Sequence, residues 1–200
     1  SLLKRFNYKI HYFFIKMSFG TCCFFTKSGP KSMNAKSIQI EGFQRGLLVN
    51  FEVIQTFTHS EMQAQEVGYV FPNDLKICIY DTTFVIGEEI IKPVLKAKEE
   101  ALNTYEEAVN SGHTAVFGTN IGYGLTCFKI GNIPPEVECK VILKIAFNGN
   151  FKKGNKFYIK FPLDVYTPSG SLDCLKSSNF SFRLQSEASK ISKITSNIKN

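Results

Sequence analysis

The sequence predicts a mainly β protein: an antiparallel β-sandwich with one amphipathic helix, at about residues 93–111, packed on it. Two observations lead to this prediction. Most of the chain consists of short runs in which apolar and polar residues alternate, separated by turn residues such as Gly, Pro and Asn. One stretch in the middle instead repeats its apolar residues with the period of a helix. The apolar stripe of this helix must lie on a β-sheet, because the sequence predicts no second helix.

Five strand-like runs precede the helix, and the last of them is short. Residues 36–43 alternate, and residues 64–71 alternate and end at Pro72, which cannot continue a sheet. Residues 76–86 are rich in β-branched side chains, and Gly87 then begins a two-residue hairpin turn into a short last strand. The clearest alternation lies between the first two runs, with apolar side chains at Leu47, Val49, Phe51, Val53 and Phe57.

The helical stretch is bounded at both ends. Pro93 suits the first helical position, where its missing N–H costs nothing, and Gly112 can adopt the left-handed conformation that ends a helix. The apolar stripe between them consists of Val94, Leu95, Ala97, Ala101, Leu102, Tyr105, Ala108 and Val109.

A glycine-rich connection, residues 118–124, follows the helix between two strand-like runs. It contains neither GxGxxG nor GxxxxGK[ST], and no helix follows it that could offer its N-terminus to a phosphate. We therefore do not interpret it as a nucleotide-binding loop. The later strand-like runs are residues 137–147, 157–161 and 180–184.

The chain divides into three parts on this interpretation. Residues 1–16 are an extension that is unstructured or not part of the native protein, with Met17 as the natural start. Residues 17–170 form the folded domain. Residues 171–200 begin a following β-rich segment, which is cut short at Asn200.

The net charge of +7 is concentrated at the two ends of the chain. Residues 1–16 contribute +4 and residues 176–200 contribute +4, which leaves the body with a net charge of −1. A protein that binds nucleic acid carries its basic surface on the folded domain. The charge distribution therefore predicts no nucleic-acid partner.

The six cysteines favour reduced, structural thiols over disulfides. Cys78, Cys127 and Cys139 lie inside strand-like runs, where a thiol serves as a small apolar side chain. There is no CxxC pair, and the three histidines are scattered, so the sequence predicts no metal site. Reduced cysteines are typical of a cytoplasmic protein, with a secreted protein as the alternative.

No segment has the roughly 18 consecutive apolar residues that a membrane span requires. The N-terminal stretch is basic and then aromatic, as in a signal peptide, but Lys16 interrupts its apolar run after only a few residues. We expect neither a membrane span nor a secretory signal.

Four segments, in order, carry sequence motifs. They are Tyr69-Val-Phe71-Pro72, the helix and its exit from Ala101 through Tyr105-Glu106-Glu107-Ala108-Val109 to Gly112, Phe128-x-x-Gly131-Asn132-Ile133-Pro134-Pro135, and Phe161-Pro162-Leu163 with Tyr166-x-Pro168. Together they resemble the VIT domain, the module named for vault proteins and the inter-alpha-trypsin inhibitor heavy chains. The resemblance covers about residues 35–168, within the folded domain of residues 17–170.

The N-terminal segment extends the resemblance. Met17-Ser-Phe19-Gly-Thr-Cys22 is similar to the start of intracellular members of the family that carry a von Willebrand factor A domain after the VIT domain. Two positions depart from the family pattern: Ala97 replaces the usual acidic residue before the helix lysine, and Asp164-Val165 replaces a Pro-Arg pair.

The motif residues suit packing better than chemistry, because a strand-ending proline and alternating small and large helix residues let a helix approach a sheet. We expect structural roles for Tyr69, Phe71, Pro72, Ala101, Tyr105, Ala108, Gly112, Gly131, Pro134 and Pro162.

The resemblance implies a non-catalytic protein-interaction or scaffold module, the N-terminal VIT domain of a larger von Willebrand factor A domain-containing protein. The partner would be another protein or the following von Willebrand factor A domain. No catalytic set of Ser, His, Cys or Asp is evident in the sequence, and no cofactor is expected. The alternatives are a non-catalytic domain of a vault-type ADP-ribosyltransferase and a domain of a secreted heavy-chain-like protein.

One surface stands out as an interaction face. The helix carries Glu99, Glu100, Glu106 and Glu107 away from its apolar stripe, which could meet a basic partner or the neighbouring domain. The alternative is an ordinary solvated helix face.

Overall fold

The computed structural model describes residues 21–26, 29–33, 35–72, 78–122, 125–152, 156–158 and 179–186. Its one described α-helix is α1, Lys98–Asn110. Its strands are Thr21–Thr26 (β1), Gly29–Ser32 (β2), Ser37–Arg45 (β3), Leu48–Phe57 (β4), Gln65–Pro72 (β5), Cys78–Ile86 (β6), Glu89–Ile91 (β7), Ala115–Gly122 (β8), Leu125–Ile133 (β9), Cys139–Asn148 (β10), Asn150–Lys152 (β11), Lys156–Tyr158 (β12) and Asn179–Ser186 (β13).

The strands form two main sheets and one small hairpin. The five-stranded sheet has the order β2-β1-β5-β9-β8, and the six-stranded sheet has the order β13-β3-β4-β10-β6-β7. Strands β11 and β12 pair only with each other among the described residues. Every pair is antiparallel except β13 with β3. The prediction of a β-sandwich with a helix packed on it is confirmed, and the six-stranded sheet is mixed.

The inner faces of the two sheets form one apolar core. In β4 the alternating residues Val49, Phe51, Val53 and Phe57 are buried as predicted, whereas Leu47 lies in the turn before the strand and is 51% exposed. In β10 every second residue from Cys139 to Ile145 is buried. The largest fully buried apolar side chains of the described residues are Tyr69, Phe51, Phe57, Phe84, Ile38, Ile40, Ile130 and Ile133.

A row of aromatic rings joins the two sheets. Phe57 of β4 meets Tyr69 of β5 edge-on, with ring centroids 6.4 Å apart, and Tyr69 lies 6.0 Å from Phe71. Phe71 stacks on Phe128 at 5.7 Å, and Phe128 meets Phe84 of β6 edge-on at 5.2 Å. Such offset and edge-on pairs are the favoured geometries for aromatic rings. The row therefore fixes how the two sheets lie against each other.

One polar pair crosses the same core. Gln55 occupies a core-facing position of β4 and is 1% exposed. The Tyr69 hydroxyl donates a hydrogen bond of 2.5 Å to Gln55 Oε1. A buried amide needs such a partner, because its desolvation is otherwise uncompensated.

Helix α1 is shorter than the predicted 93–111, because it begins at Lys98. Val94 and Leu95 are 72% and 103% exposed and do not belong to the packed stripe. The path of the chain explains this difference. Residues 92–97 connect an edge of the six-stranded sheet to a helix on the far side of the other sheet, and they span roughly 20 Å when extended but only about 9 Å as a helix.

The last described strand, β13, joins the six-stranded sheet at its edge. It lies beside β3 in parallel register, from Asn179 opposite Ser37 to Ser186 opposite Gln44. The Ser186 hydroxyl donates a hydrogen bond to Gln44 Oε1. This strand lies in the part that we assigned to a following segment, and the boundary near residue 170 stays a prediction.

Several predictions concern residues outside the described ranges, among them the extension at residues 1–16 and the motif at Pro162. Cys78, Cys127 and Cys139 are free thiols. No helix in the described part of the chain is long and apolar enough to cross a membrane.

Candidate interaction face

Helix α1 packs on the outer face of the five-stranded sheet, opposite the sandwich core. Tyr105 is the one helix residue that is buried. Its ring lies 5.9 Å from that of Phe117 on β8, and its hydroxyl donates a 2.5 Å hydrogen bond to the Glu66 carboxylate on β5. Lys129 on β9 forms an ion pair with the same carboxylate at 3.5 Å. Tyr105 therefore connects the helix to three adjoining strands of the sheet.

Gly131 on β9 makes the close approach of the helix possible. A Cβ atom at this position would collide with Val109 Cγ2 and would lie 2.9 Å from the Tyr105 hydroxyl oxygen. Any other residue would therefore push α1 away from the sheet. The glycine is needed here for space, because its φ is not in the left-handed region.

The C-terminus of α1 is closed by the chain itself and by the sheet. Gly112 has φ +82°, its N–H donates to the Val109 carbonyl at 3.0 Å, and the His113 N–H donates to the Ala108 carbonyl at 2.9 Å. This is the Schellman arrangement. The Asn132 side-chain amide of β9 also donates to the Val109 and His113 carbonyls, at 2.8 and 3.2 Å. Adjacent residues of β9, Gly131 and Asn132, thus seat the helix and cap it.

The Tyr105 hydroxyl and the Cys127 thiol, both beneath the helix, are held in their neutral forms. Burial, followed by the hydrogen bond to Glu66, raises the pKa of Tyr105 above its usual range. Burial raises the pKa of the Cys127 thiol to about 11, although Lys129 opposes the shift. A thiol with a raised pKa is a poor nucleophile at neutral pH. This cluster of Glu66, Tyr105, Cys127 and Lys129 therefore docks the helix and is unsuited to chemistry.

We expect the stability of the protein to fall in mild alkali because of this cluster. The folded-state pKa of Cys127 lies above the ordinary value near 9, so its stabilising contribution is complete below pH 9 and is lost as the pH rises towards 11. The free energy of unfolding should drop by roughly 1–2 kcal/mol between pH 8 and 10.5 from this thiol. Tyr105 acts in the same direction at higher pH.

Denaturant unfolding at several pH values measures this effect, with Cys127→Ser as the comparison. The variant should lose a smaller part of its stability in alkali than the unmodified chain. An identical pH dependence in both proteins would contradict the assignment to Cys127.

The predicted acidic face lies on the solvent side of α1. Glu99, Glu100, Glu106 and Glu107 are all exposed, as the helical period predicts. Glu100 forms an ion pair of 3.0 Å with Lys96, which lies four residues earlier and just before the helix begins. The structure therefore leaves Glu99, Glu106 and Glu107 as the main acidic surface of the helix. No group of three or more metal-ligating side chains occurs among the described residues.

A shallow cavity of about 310 Å³ opens on the outer face of the six-stranded sheet. Charged side chains cross this face in register, and they pair with each other. Arg183 lies 3.7 Å from Glu41, and Lys144 lies 3.1 Å from Asp81, whose hydrogen bond raises the pKa of Lys144. Opposite charges on neighbouring strands are typical of an ordinary solvated sheet surface. We assign no ligand to this cavity.

A family model described as "Vault protein inter-alpha-trypsin domain" matches residues 35–145, which is more than half of the chain. The chain belongs to the VIT family. The match includes the three strands on which α1 packs, the helix itself and the first part of β10.

Two curated relatives have the same name, protein mono-ADP-ribosyltransferase PARP4. The mouse protein is 30% identical over 128 residues, which are 60% of this chain and 6% of that protein. The human protein is 30% identical over 129 residues, which are 61% of this chain and 7% of that protein. The chain therefore spans only a small part of the length of these relatives.

A solved structure of a putative nutrient binding protein from Legionella pneumophila shares 9% sequence identity. It superposes with a TM-score of 0.39, over 69% of this chain and 46% of that chain. A superposition at this score carries no argument about fold or function.

The VIT motif residues fall into two groups in the structure. The first lies in or beside the sandwich core, with Tyr69 0% and Phe71 7% exposed, and Pro72 is the last residue of β5. The second group belongs to α1 and its contact with β9: Tyr105 is buried and lies close to Gly131, Ala101 and Ala108 are half-buried, and Gly112 ends the helix. Pro134 lies in the turn after β9, and its carbonyl accepts a 3.4 Å hydrogen bond from the Val137 N–H.

Sequence reasoning did not identify the partners of the helix on the sheet. Glu66, Lys129 and Cys127 belong to no motif, and only the fold brings them under Tyr105. Asn132 did lie in a motif, Gly131-Asn132-Ile133-Pro134. Its capping role is not visible in the sequence, because the helix carbonyls that it binds lie about twenty residues earlier.

Proposed function

We propose that this VIT domain is a non-catalytic interaction or scaffold module of a longer protein, with a von Willebrand factor A domain following it. The observation that carries the proposal is that the titratable side chains with shifted pKa values serve to dock the helix or to form surface ion pairs. Where the described side chains have raised or lowered pKa values, they dock the helix or pair with an opposite charge on the surface. None of these arrangements activates a nucleophile or a general acid.

The acidic face of α1 is the surface that we propose for the partner. Glu106 and Glu107 extend from a helix whose other side is fixed to the sheet by Tyr105, so their carboxylates are presented on a rigid element. A rigid surface loses little conformational entropy on binding. A partner domain with exposed lysine or arginine side chains fits this face.

Charge reversal tests this surface. The segment that follows Asn200 in the full-length protein is expressed separately, and its binding to the 200-residue chain is measured by calorimetry. We expect Glu106→Lys with Glu107→Lys to weaken binding about tenfold, because two favourable charges become repulsive.

The matched control reverses two exposed acids on the β6–β7 hairpin, Glu88→Lys with Glu89→Lys. This control should bind like the unmodified chain. Equal binding by the Glu106/Glu107 variant would remove the acidic face from the proposal.

A second candidate is the non-catalytic VIT domain of a mono-ADP-ribosyltransferase, which the names of the two relatives favour. The two candidates differ in the sequence beyond residue 200. A von Willebrand factor A domain would bring an Asp-x-Ser-x-Ser motif, and a transferase would bring its own catalytic domain. Under both, the 200-residue chain alone should transfer no ADP-ribose from NAD, as mass spectrometry of the incubated protein would show.

We also propose a cytoplasmic location, with secretion as the alternative. Thiol titration of the protein, isolated from its natural source and then denatured without a reductant, distinguishes a cytoplasmic from a secreted location. Six reactive thiols support a reducing compartment, and three disulfides would reverse the assignment.

A further inference from the structure

The last described strand, β13, contributes no buried side chain to the sandwich. All eight of its residues are exposed or half-buried. Its neighbour β3 has buried side chains at Ile38, Ile40 and Gln44, and β4 and β10 have more. Phe180 and Leu184 of β13 pack against the core only as partly buried residues. Because buried apolar surface is the main source of stability, β13 adds little to the stability of the sandwich.

Two side-chain contacts that tie β13 to the body are open to solvent. Arg183 lies 3.7 Å from Glu41, and the two side chains are 72% and 64% exposed. An ion pair that is this exposed stabilises a protein only slightly. The ring of Phe182 lies 5.6 Å from that of Phe51, but Phe182 is itself 40% exposed. These contacts fix the register of β13 without burying it.

The backbone pairing of β13 is of the weaker kind. Its pairing with β3 is the one parallel pair among the described strands, and parallel pairs are slightly less stable per residue than antiparallel pairs. The Ser186 hydroxyl donates a hydrogen bond to the buried Gln44 side chain at the end of the strand. β13 also lies outside residues 35–145, which match the VIT family. It can therefore leave β3 without opening the core.

We propose that β13 is a releasable strand, which opens from β3 and closes again as a unit while the sandwich core stays folded. Elements with few buried contacts open locally, without unfolding of the whole domain. Release uncovers the backbone N–H and C=O groups of β3 and moves Ser186 away from the body. The proposal deepens the proposed scaffold function and rests on it in one respect, because a domain that follows this chain would be attached through β13.

Native-state hydrogen exchange of the 200-residue chain in low denaturant tests the proposal. We expect the amides that bond β13 to β3 to exchange at least about a hundredfold faster than the slowest amides of β4 and β10. Their exchange should depend only weakly on denaturant, because a local opening exposes little surface. If β13 exchanged at the rate and with the denaturant dependence of β4 and β10, it would open only with the whole domain, and the proposal would be overturned.

A disulfide between β13 and β3 provides the second measurement. Ser181 and Gln39 are exposed and lie opposite each other, so Ser181→Cys with Gln39→Cys places two cysteines at paired positions on adjacent strands. The oxidised variant should slow exchange in β13 at least about tenfold. The matched control, Gln39→Cys with Ile54→Cys, ties the same β3 position to β4 and should leave exchange in β13 unchanged. Equal slowing by both bonds, or slowing by neither, would contradict release of β13 as a unit.

Arg183→Glu tests the same opening without a disulfide. It places a second carboxylate beside Glu41, so exchange in β13 should become about threefold faster while exchange in β4 and β10 stays unchanged. Circular dichroism confirms that each variant is folded, and equal acceleration in all three strands would count against the proposal. These measurements use the 200-residue chain alone, so their failure would leave the binding test of the acidic face unaffected.

Discussion

Replacing Gly131 by alanine is expected to destabilise the protein by about 2–3 kcal/mol, because overpacked contacts in a close-packed interface are relieved only by moving the helix. The new methyl group would collide with Val109 and would approach the Tyr105 hydroxyl. Moving α1 away would also weaken the hydrogen bond from Tyr105 to Glu66. Thermal and denaturant unfolding measure the loss, and hydrogen exchange in α1 shows whether the helix is the part that loosens.

A double variant separates the collision from a general effect of alanine in β9. Val109→Ala removes the methyl group that the new side chain would strike. We expect Gly131→Ala with Val109→Ala to be less destabilised than the sum of the two single variants. Additive losses would show that the space above Gly131 is not the cause.

Replacing Tyr69 by alanine is expected to cost about 3–5 kcal/mol, as large-to-small changes of buried aromatic residues do. Tyr69 is 0% exposed and lies between Phe57 and Phe71 in the aromatic row. Its loss would leave a cavity between the sheets and would also remove the hydroxyl that donates to Gln55. Denaturant unfolding gives the change in free energy.

Tyr69→Phe separates the ring from the hydroxyl. It keeps the aromatic contacts and removes one hydrogen bond to a buried amide, so we expect a loss of about 1–2 kcal/mol. If the phenylalanine variant were as unstable as the alanine variant, the hydrogen bond to Gln55 would outweigh the packing of the ring.

The sequence predicted those parts of the fold that depend on local patterns. The alternation in β4 and β10 gave the inner faces, and Gly87, with φ +60°, begins the hairpin that its sequence predicted. The start of α1 was wrong by five residues because Pro93, Val94 and Leu95 fit a helix locally. We attribute their non-helical conformation to the path of the chain from the edge of the six-stranded sheet to the helix on the other sheet, which no local pattern encodes.

The contact between α1 and the sheet was only half predictable for the same reason. Tyr105 and Gly131 could be named from motifs, because Tyr105 belongs to the helix motif and Gly131 belongs to the motif on β9. Glu66 and Lys129 could not, because a single acid on one strand and a single base on another acquire meaning only when the sheet aligns them. The parallel pairing of β13 with β3 is a second example, since a periodic run specifies a strand and says nothing of its neighbour.

The pairing of β13 with β3 has a consequence for synthesis on the ribosome. Gln44 and Ser186, whose side chains meet across these two strands, are 142 residues apart in sequence. The ribosome therefore delivers β3 long before the strand that covers its outer edge exists. Until β13 has been synthesised, the edge of β3 that it later covers is not paired with it. A chaperone that recognises extended backbone would bind at this edge.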